Sequence, residues 1–380
     1  MALRASGLAP YQAALDALTD QSRKRSLAPR VGLDFTSNDY LGLAACARLK
    51  AAVTSALARG TPVGAGGSRL LRGNAPEHEA LEAKAAAFFR AERTLFFGSG
   101  YFANYAVLST LPQRDDLVVL DALVHASAHE GARAGRAQFT CAAHNDPAAF
   151  EKAIQDFRGS GARGRVWMAV ESLYSMDGDR APLDELIALA DRHDAMLFID
   201  EAHATGVYGM DGRGLAAELE GRENVLTLHT CGKALGGAGA LVAGPRVLCE
   251  FLINRCRPFI YSTAPSPLMA AAALEALDIL KEEPERRRRL AHLVGAASRA
   301  ARARGAAHPS GSQILPVIVG EDGRALALAT ALRERGFDVR AVRPPTVPEG
   351  TARLRISVTL NVDEAAIDAL FGALAELLAP

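Results

Sequence analysis

Six short apolar runs constrain the fold of this chain more than any other feature. They are TLFFG, DLVVLD, RVWMAVES, AMLFIDE, VLTLHT and GALVAG, all between residues 94 and 244. Helical periodicity separates several of them, as over 147–157 and 182–193. Continuous apolar runs are typical of strands buried on both faces, and helical connections make such strands parallel. The sequence therefore predicts an α/β fold with a large, mostly parallel sheet.

The segments on either side of these runs predict further parts of the chain. Before them, an amphipathic pattern predicts a helix over 10–25. After them, residues 312–380 alternate in the order strand, helix, strand, strand, helix. We therefore predict three parts: an N-terminal helix and strand segment over 1–45, a large domain over 46–285 and a small C-terminal α/β domain over 286–380.

Composition limits the class of partner and the compartment. The 43 basic residues equal the 43 acidic residues, whereas binding nucleic acid requires a surplus of cations. The five cysteines form no CxxC pair and are expected to be reduced. No apolar stretch approaches the ~18 residues of a membrane-spanning helix, and the N-terminus lacks the apolar centre of a signal peptide. We therefore expect a cytoplasmic protein that binds neither nucleic acid nor membrane.

Polar side chains follow three of the predicted strands at the point where each strand ends. Glu171 follows WMAV, Asp200 and His203 follow AMLFI, and Lys233 follows VLTLHT. In parallel sheets, ligands bind beyond the carboxyl ends of the strands. We therefore expect these side chains to converge on one site.

One interpretation of Lys233 is a phosphate-binding loop. The motif DEAH at 200–203 occurs in helicase-type NTPases, which also require G-x-x-x-x-G-K-[ST]. Here Lys233 is followed by Ala234, and Thr227 stands where that loop requires a glycine. The sequence therefore argues against an NTPase.

Two other features are ambiguous by themselves. His125 and His129 have the i, i+4 spacing of metal ligands on a helix, but no third ligand is indicated, and we predict no metal site. The stretch SGYFAN at 99–104 follows a strand and precedes an apolar helical pattern. It is either an ordinary strand–helix turn or an anion site at a helix start.

Taken together, these residues supply what pyridoxal phosphate requires. The aldehyde needs a lysine amine, for which Lys233 is the candidate. The ring nitrogen needs an anionic partner to remain protonated, which Asp200 could provide. The helix start at Gly100 and the hydroxyl of Thr230 could bind the phosphate, and the ring of His125 could stack on the pyridine. The glycines around Lys233 are expected to leave room for the cofactor and the backbone to lie close together.

The chain resembles the α-oxoamine synthases, a group of fold-type I pyridoxal-phosphate enzymes, over nearly its whole length. The resemblance implies a large domain with a mostly parallel, seven-stranded sheet, a small C-terminal α/β domain, and a homodimer with shared active sites. The stretches that carry it are DFTSNDYLGL (34–43), GGSRLLRGNAPEHEALE (66–82), FFGSGYFAN (96–104), DALVHAS (121–127), ESLYSMDGD (171–179), IDEAHATGVYG (199–209), CGKALGGAGA (231–240), IYSTAPSP (260–267) and VRPPTVPEGTARLRIS (342–357).

The resemblance implies roles for five residues around the cofactor ring. Lys233 would be the Schiff-base lysine and would also remove the α-proton of the substrate. Asp200 would pair with the pyridinium nitrogen, and His203 would hydrogen-bond the phenolic oxygen. His125 would stack on the ring, and Ser175 would contact the cofactor oxygen.

The phosphate would be bound by residues of both subunits, as the same resemblance implies. Gly100 and Tyr101 would offer backbone N–H groups, and Thr230 a hydroxyl. Ser262 and Thr263 would reach the phosphate from the second subunit.

The substrates follow from the same resemblance. Arg343 would bind the amino-acid carboxylate in a bidentate fashion, which suits guanidinium geometry. Asn38 would lie near that substrate, as would His125, which could polarise the thioester carbonyl or assist decarboxylation. Arg25 and Thr346 would lie towards the acyl chain.

The implied activity is that of an acyltransferase that condenses an amino acid with an acyl thioester and releases carbon dioxide. The stretch VRPPTVPEGTARLRIS favours L-alanine with pimeloyl-CoA, or with a pimeloyl carrier protein. Glycine with acetyl-CoA or succinyl-CoA is the alternative within the family. A pyridoxal-phosphate-binding regulator is a more distant one, because such proteins usually carry an N-terminal DNA-binding domain and only ~35 residues precede the matching stretches.

Overall fold

The computed structural model describes residues 7–306 and 309–379, which form two compact units. The large unit comprises residues 38–175 and 179–290. The small unit comprises the described residues of 1–37, 176–178 and 291–380. The segment predicted over 1–45 is thus divided between the two units, because its strand pairs with one near residue 337. The boundaries predicted at 45 and 285 stay a prediction.

The large unit is built on a seven-stranded sheet. Its spatial order is β2-β8-β7-β6-β5-β3-β4; β8 is antiparallel to both its neighbours, and the other pairs are parallel. The strands are β2 (Arg93–Phe97), β3 (Leu117–Asp121), β4 (Gln138–Ala142), β5 (Val166–Glu171), β6 (Met196–Asp200), β7 (Val225–Thr230) and β8 (Ala240–Gly244). The predicted α/β fold with a mostly parallel sheet is confirmed, and each of the six apolar runs forms a strand.

Helices cover both faces of this sheet. Alternate residues of β3 face opposite ways: Val118 and Leu120 belong to one buried apolar cluster, Leu117 and Val119 to another. This double burial explains why the strands read as continuous apolar runs. The helices are α2 (Ala47–Ala58), α3 (Pro76–Phe88), α4 (Gly100–Thr110), α5 (Ala126–Ala134), α6 (Pro147–Gly159), α7 (Leu183–Arg192), α8 (Arg246–Arg255), α9 (Arg257–Tyr261), α10 (Pro267–Glu282) and α11 (Pro284–Ala303), the last with residues in both units.

The small unit carries a three-stranded antiparallel sheet in the order β11-β12-β9. A parallel pair, β1 with β10, joins its N-terminal and C-terminal parts. The elements are α1 (Ala9–Asp20), β1 (Leu33–Asp34), β9 (Ile314–Gly320), α12 (Asp322–Glu334), β10 (Phe337–Asp338), β11 (Arg340–Val342), β12 (Ala352–Ser357) and α13 (Glu364–Leu378). The alternation predicted for 312–380 is confirmed, with one predicted strand divided into β10 and β11.

The helix predicted over 10–25 is shorter than expected. It ends at Asp20, because Ser22 adopts a left-handed conformation with φ 57°. The basic residue Arg23 therefore lies outside the helix, where it pairs with Asp322 at 2.6 Å. Within the part of the chain that the structure describes, no helix has the length and apolar character needed to cross a bilayer.

Candidate active site

The ends of three adjacent parallel strands build the site in the large unit. Glu171, Asp200 and Thr230 are the last residues of β5, β6 and β7, which are neighbours in the sheet. Glu171 and Asp200 are paired in register. These three residues therefore lie at one edge of the sheet, as the strand-end rule predicts. Lys233 follows three residues after the end of β7.

A chain of hydrogen bonds leads from Lys233 into the protein. Its Nζ lies 2.8 Å from Nε2 of His203, and Nδ1 of that ring lies 2.7 Å from the hydroxyl of Tyr40. The Tyr40 hydroxyl donates to Oδ1 of Asn38 at 3.0 Å. Tyr40 is fully buried and His203 nearly so. The sequence interpretation assigned roles to three of these residues and none to Tyr40.

Asp200 is held by two hydrogen bonds. Its Oδ1 accepts the backbone N–H of Ala202 at 2.8 Å, and its Oδ2 accepts the amide of Asn104 at 2.7 Å. The same amide donates to Oγ of Ser127 at 3.0 Å, and that hydroxyl lies 2.7 Å from Nδ1 of His125. Asn104 and Ser127 thus connect Asp200 to His125, and the sequence interpretation missed both.

The carboxyl groups beside Asp200 are less acidic than usual. Burial, reinforced by the charge of Asp200, raises the pKa of Glu171 to about 8. Burial also raises the pKa of Glu201 to about 7, although the backbone N–H groups of Leu215 and Ala216 oppose it. Glu171 is therefore mostly neutral at pH 7.

His125 presents an exposed ring at this edge. Its Nδ1 is fixed by Ser127, and the ring of Tyr101 meets it edge-on at 6.1 Å between centroids. Surrounding protein lowers the pKa of His125; the charge of Asp200 opposes this effect and that of Lys233 adds to it. The lowered pKa favours the neutral imidazole, and Ser127 holds its Nδ1 in place.

The start of α4 forms a cradle for an anion. Ser99 caps the helix by accepting the N–H of Phe102 at 3.2 Å, and the geometry of a helix leaves its first N–H groups, here those of Gly100 and Tyr101, without intrahelical acceptors. A Cβ on Gly100 would lie 3.6 Å from Oγ1 of Thr230, so the Thr230 hydroxyl lies beside the start of this helix. Backbone N–H donors facing a hydroxyl, beside an amine and an anchored carboxylate, fit pyridoxal phosphate.

The other predicted cofactor residues lie nearby in the large unit. The backbone N–H of Ser175 donates to Oε2 of Glu171 at 3.0 Å. Ser262 donates to the carbonyl of Pro258, and Thr263 is exposed. Both line a cavity of about 250 Å³ whose wall includes Ser99. Their predicted role from a second subunit stays a prediction.

Two glycines after Lys233 serve the packing of the protein itself. Gly236 has φ 66°, and a Cβ there would lie 2.4 Å from the backbone of Leu43. Gly239 has φ 101°, and a Cβ there would lie 2.4 Å from the ring of Phe96. At both positions the absence of a side chain lets neighbouring protein atoms approach closely, as the expectation of close backbone contact requires, and the room for the cofactor stays a prediction.

Replacing Gly239 with alanine is expected to lower the free energy of unfolding by about 2–4 kcal/mol, since it combines a strained backbone with a steric clash. Gly237→Ala is the matched control, because the atom nearest to the new Cβ, the carbonyl oxygen of Cys231, would lie 3.6 Å away. Urea unfolding of both variants measures the difference. Equal losses of stability would contradict this explanation of Gly239.

The predicted substrate residues divide between the units. Asn38 belongs to the large unit, whereas Arg25, Thr346 and Arg343 belong to the small unit. Arg25 donates to the hydroxyl of Thr346 at 3.3 Å, and Arg343 donates to the carbonyl of Ser22. Partial burial, together with the charge of Arg25, lowers the pKa of Arg343.

A second arginine of the small unit, to which the sequence interpretation gave no role, is buried on a strand. Arg355 lies on β12, is 7% exposed and donates to Oγ of Ser357 at 2.7 Å. The backbone N–H of Ser357 donates to the carbonyl of Phe35, three residues before Asn38. The signal was available in the sequence: RLRIS carries arginine at alternate positions of an otherwise apolar strand.

Known proteins resemble the chain in sequence and in fold. The aminotransferase class I and II family model matches residues 30–374. The chain is 45% identical to an 8-amino-7-oxononanoate synthase of Anaeromyxobacter dehalogenans, over 96% of this chain and 94% of the relative. It is also 45% identical to that of Chromobacterium violaceum, over 89% and 87% of the two chains.

Solved structures of related enzymes share the fold of this chain. A serine palmitoyltransferase from S. paucimobilis with bound PLP–myriocin aldimine superposes with a TM-score of 0.89 at 26% identity, covering 98% of this chain and 97% of the other. An 8-amino-7-oxononanoate synthase from Francisella tularensis gives 0.77 at 28% identity, covering 91% and 97%.

The chain therefore belongs to the class I and II aminotransferase family. Within that family it is an α-oxoamine synthase, a pyridoxal-phosphate-dependent acyltransferase, as the sequence stretches predicted.

Proposed function

We propose that this enzyme condenses L-alanine with pimeloyl-CoA, or with a pimeloyl carrier protein, and forms 8-amino-7-oxononanoate, carbon dioxide and the free thiol in biotin biosynthesis. The observation that carries the proposal is the contact of the Lys233 amine with His203 at 2.8 Å, beside the anchored carboxylate of Asp200. Relatives named for this reaction, 42–46% identical over most of the chain, support the choice of substrates.

Residues at the strand ends and at the start of α4 would hold the cofactor. Pyridoxal phosphate, when bound at Lys233, supplies an electron sink that makes the α-hydrogen of an amino acid acidic. Asp200 would keep the ring nitrogen protonated, since its carboxylate is fixed by Asn104 and Ala202. Thr230 and the start of α4 would bind the phosphate, and His203 and Ser175 would contact the phenolic oxygen.

Lys233 and His125 would then act on the substrates. The Lys233 amine would remove the proton from the α-carbon of alanine, which requires the amine to be neutral at that moment. The neutral ring of His125 would stack on the cofactor, and a hydrogen bond from it would polarise the thioester carbonyl. Its tie to Ser127 fixes the ring for both purposes.

The substrate carboxylate requires a guanidinium group. Arg343 is the proposed ligand, with Asn38 near the same substrate, and Arg25 and Thr346 towards the acyl chain. Arg355 is a second candidate for the carboxylate, because a buried guanidinium beside Ser357 is held in one orientation.

We further propose a homodimer in the cytoplasm in which Ser262 and Thr263 of one subunit reach the phosphate of the other. The support for this arrangement is the exposure of Thr263 and the shared cavity with Ser99, which precedes the phosphate cradle. The cytoplasmic location rests on the reduced state expected of the cysteines, all five of which are free thiols.

Product formation from competing substrate pairs tests the proposed reaction. We expect kcat/KM for the acyl thioester to be at least about tenfold higher with alanine and pimeloyl-CoA than with glycine and acetyl-CoA or succinyl-CoA, which is the discrimination that a pocket fitted to extra methylene groups provides. Serine with palmitoyl-CoA serves as a further comparison. Faster turnover of any other pair would contradict the proposed substrates while leaving the class of enzyme intact.

A further inference from the structure

We propose that Tyr40 is a positioning residue whose hydroxyl holds His203 in either of two tautomers, matched to the protonation state of the Lys233 nitrogen. The inference rests on the proposed function, because that function requires Lys233 to be an ammonium group at one moment and a neutral base at another. Tyr40 is suited to this role because a hydroxyl can donate a hydrogen bond or accept one.

Counting protons along the chain defines the first pattern. An ammonium group has donors only, so Lys233 must donate to Nε2 of His203 across the 2.8 Å contact. A neutral imidazole then carries its proton on Nδ1, which donates to the Tyr40 oxygen at 2.7 Å. The hydroxyl proton of Tyr40 in turn goes to Oδ1 of Asn38 at 3.0 Å. Each of these three contacts thus joins one donor to one acceptor.

The second pattern follows when the chain of groups loses one proton. A neutral Lys233 nitrogen, or an anionic oxygen placed beside it, accepts a hydrogen bond from Nε2–H of His203. Nδ1 then carries a lone pair, and the Tyr40 hydroxyl rotates to donate to it. The Asn38 amide has both an acceptor oxygen and donor N–H groups, so it can serve Tyr40 in either pattern.

Burial makes the Tyr40 oxygen important in both patterns. Tyr40 is fully buried and His203 is 4% exposed, so water does not readily replace a lost partner of Nδ1. Leaving a buried imidazole nitrogen without a hydrogen bond costs free energy, so losing the Tyr40 oxygen would destabilise both hydrogen-bond patterns. With the cofactor bound as proposed, Nε2–H of His203 would donate to its phenolic oxygen, and the second pattern would be needed.

The test compares wild-type holoenzyme with Tyr40→Phe, which removes one oxygen atom and keeps the ring. We expect the pyridoxal phosphate dissociation constant to rise about fivefold to tenfold, as the loss of one buried hydrogen bond implies. We also expect the midpoint of the pH titration of cofactor absorbance to rise by about 0.5–1 pH unit. Without Tyr40, Nε2–H of His203 donates a weaker hydrogen bond, which favours the protonated form of the Lys233 nitrogen.

Tyr174→Phe is the matched control. Tyr174 is 1% exposed and packs edge-on against another histidine, His144, at 4.4 Å between ring centroids. We expect this variant to keep the wild-type midpoint and dissociation constant. If Tyr40→Phe does not fold, Asn38→Leu removes the partner of the Tyr40 hydroxyl and is expected to shift the midpoint in the same direction.

The outcomes separate this inference from the proposed function. A folded Tyr40→Phe variant with wild-type midpoint and cofactor affinity would overturn the role of Tyr40 alone, as would an unchanged midpoint in Asn38→Leu. Wild-type protein that shows no cofactor absorbance would overturn the proposed function and this inference together.

Discussion

Replacing Lys233 with alanine is expected to lower kcat by at least about 1,000-fold, because a positioned base alone contributes about 10²–10⁴ and the covalent link to the cofactor is lost as well. The fold should persist, since Lys233 is only partly buried and lies on a loop after β7. Steady-state turnover of alanine and pimeloyl-CoA, together with thermal unfolding, measures both effects.

Lys152→Ala is the control for the loss of a lysine. Lys152 is exposed and pairs with Asp156 one helical turn away at 2.8 Å, so we expect its replacement to leave kcat within about twofold of wild type. Normal turnover by a folded Lys233→Ala variant would refute the assignment of Lys233 as anchor and base.

Replacing Asp200 with asparagine is expected to have the second largest effect, a loss of about 10²–10⁴ in kcat, by analogy with the removal of other pre-organised charges. The substitution keeps the size of the side chain and removes the charge that would hold the ring nitrogen protonated. It also replaces one of the two oxygens that accept hydrogen bonds from Ala202 and Asn104. Measured with saturating pyridoxal phosphate, the loss should appear in kcat, because the electron sink is weakened after the substrate has bound.

Glu171→Gln provides a matched control on the neighbouring strand. Because burial raises the pKa of Glu171 to about 8, this carboxyl is already mostly neutral at pH 7, and a neutral amide should change kcat by less than about fivefold. A large loss in Glu171→Gln with little change in Asp200→Asn would reverse the assignment of the two carboxyl groups.

The apolar runs made six of the seven strands of the large sheet predictable. The seventh strand, β4, shows the limit of that signal. β4 lies at the edge of the sheet with four of its five residues exposed, so its sequence QFTCA has no continuous apolar run. The short length of α1 depends on the left-handed conformation of Ser22, a residue that rarely signals such a turn.

Parts of the site followed from one rule, and others did not. The strand-end rule located Asp200 and Thr230, because the order of the strands fixes where their carboxyl ends meet. Tyr40 and Asn104 escaped it, since each contacts the site through a hydrogen bond to a residue 163 or 96 positions away along the chain. Such partners come together only when the chain folds.

The most direct test of the central claim is to map the lysine that carries the cofactor. The chain has only six lysines: Lys24, Lys50, Lys84, Lys152, Lys233 and Lys281. Borohydride reduction of the protein with pyridoxal phosphate, followed by peptide mass spectrometry, identifies the modified one. We predict a single modification at Lys233, with stoichiometry near one per chain. Modification of another lysine in its place, or no modification at all, would contradict the account.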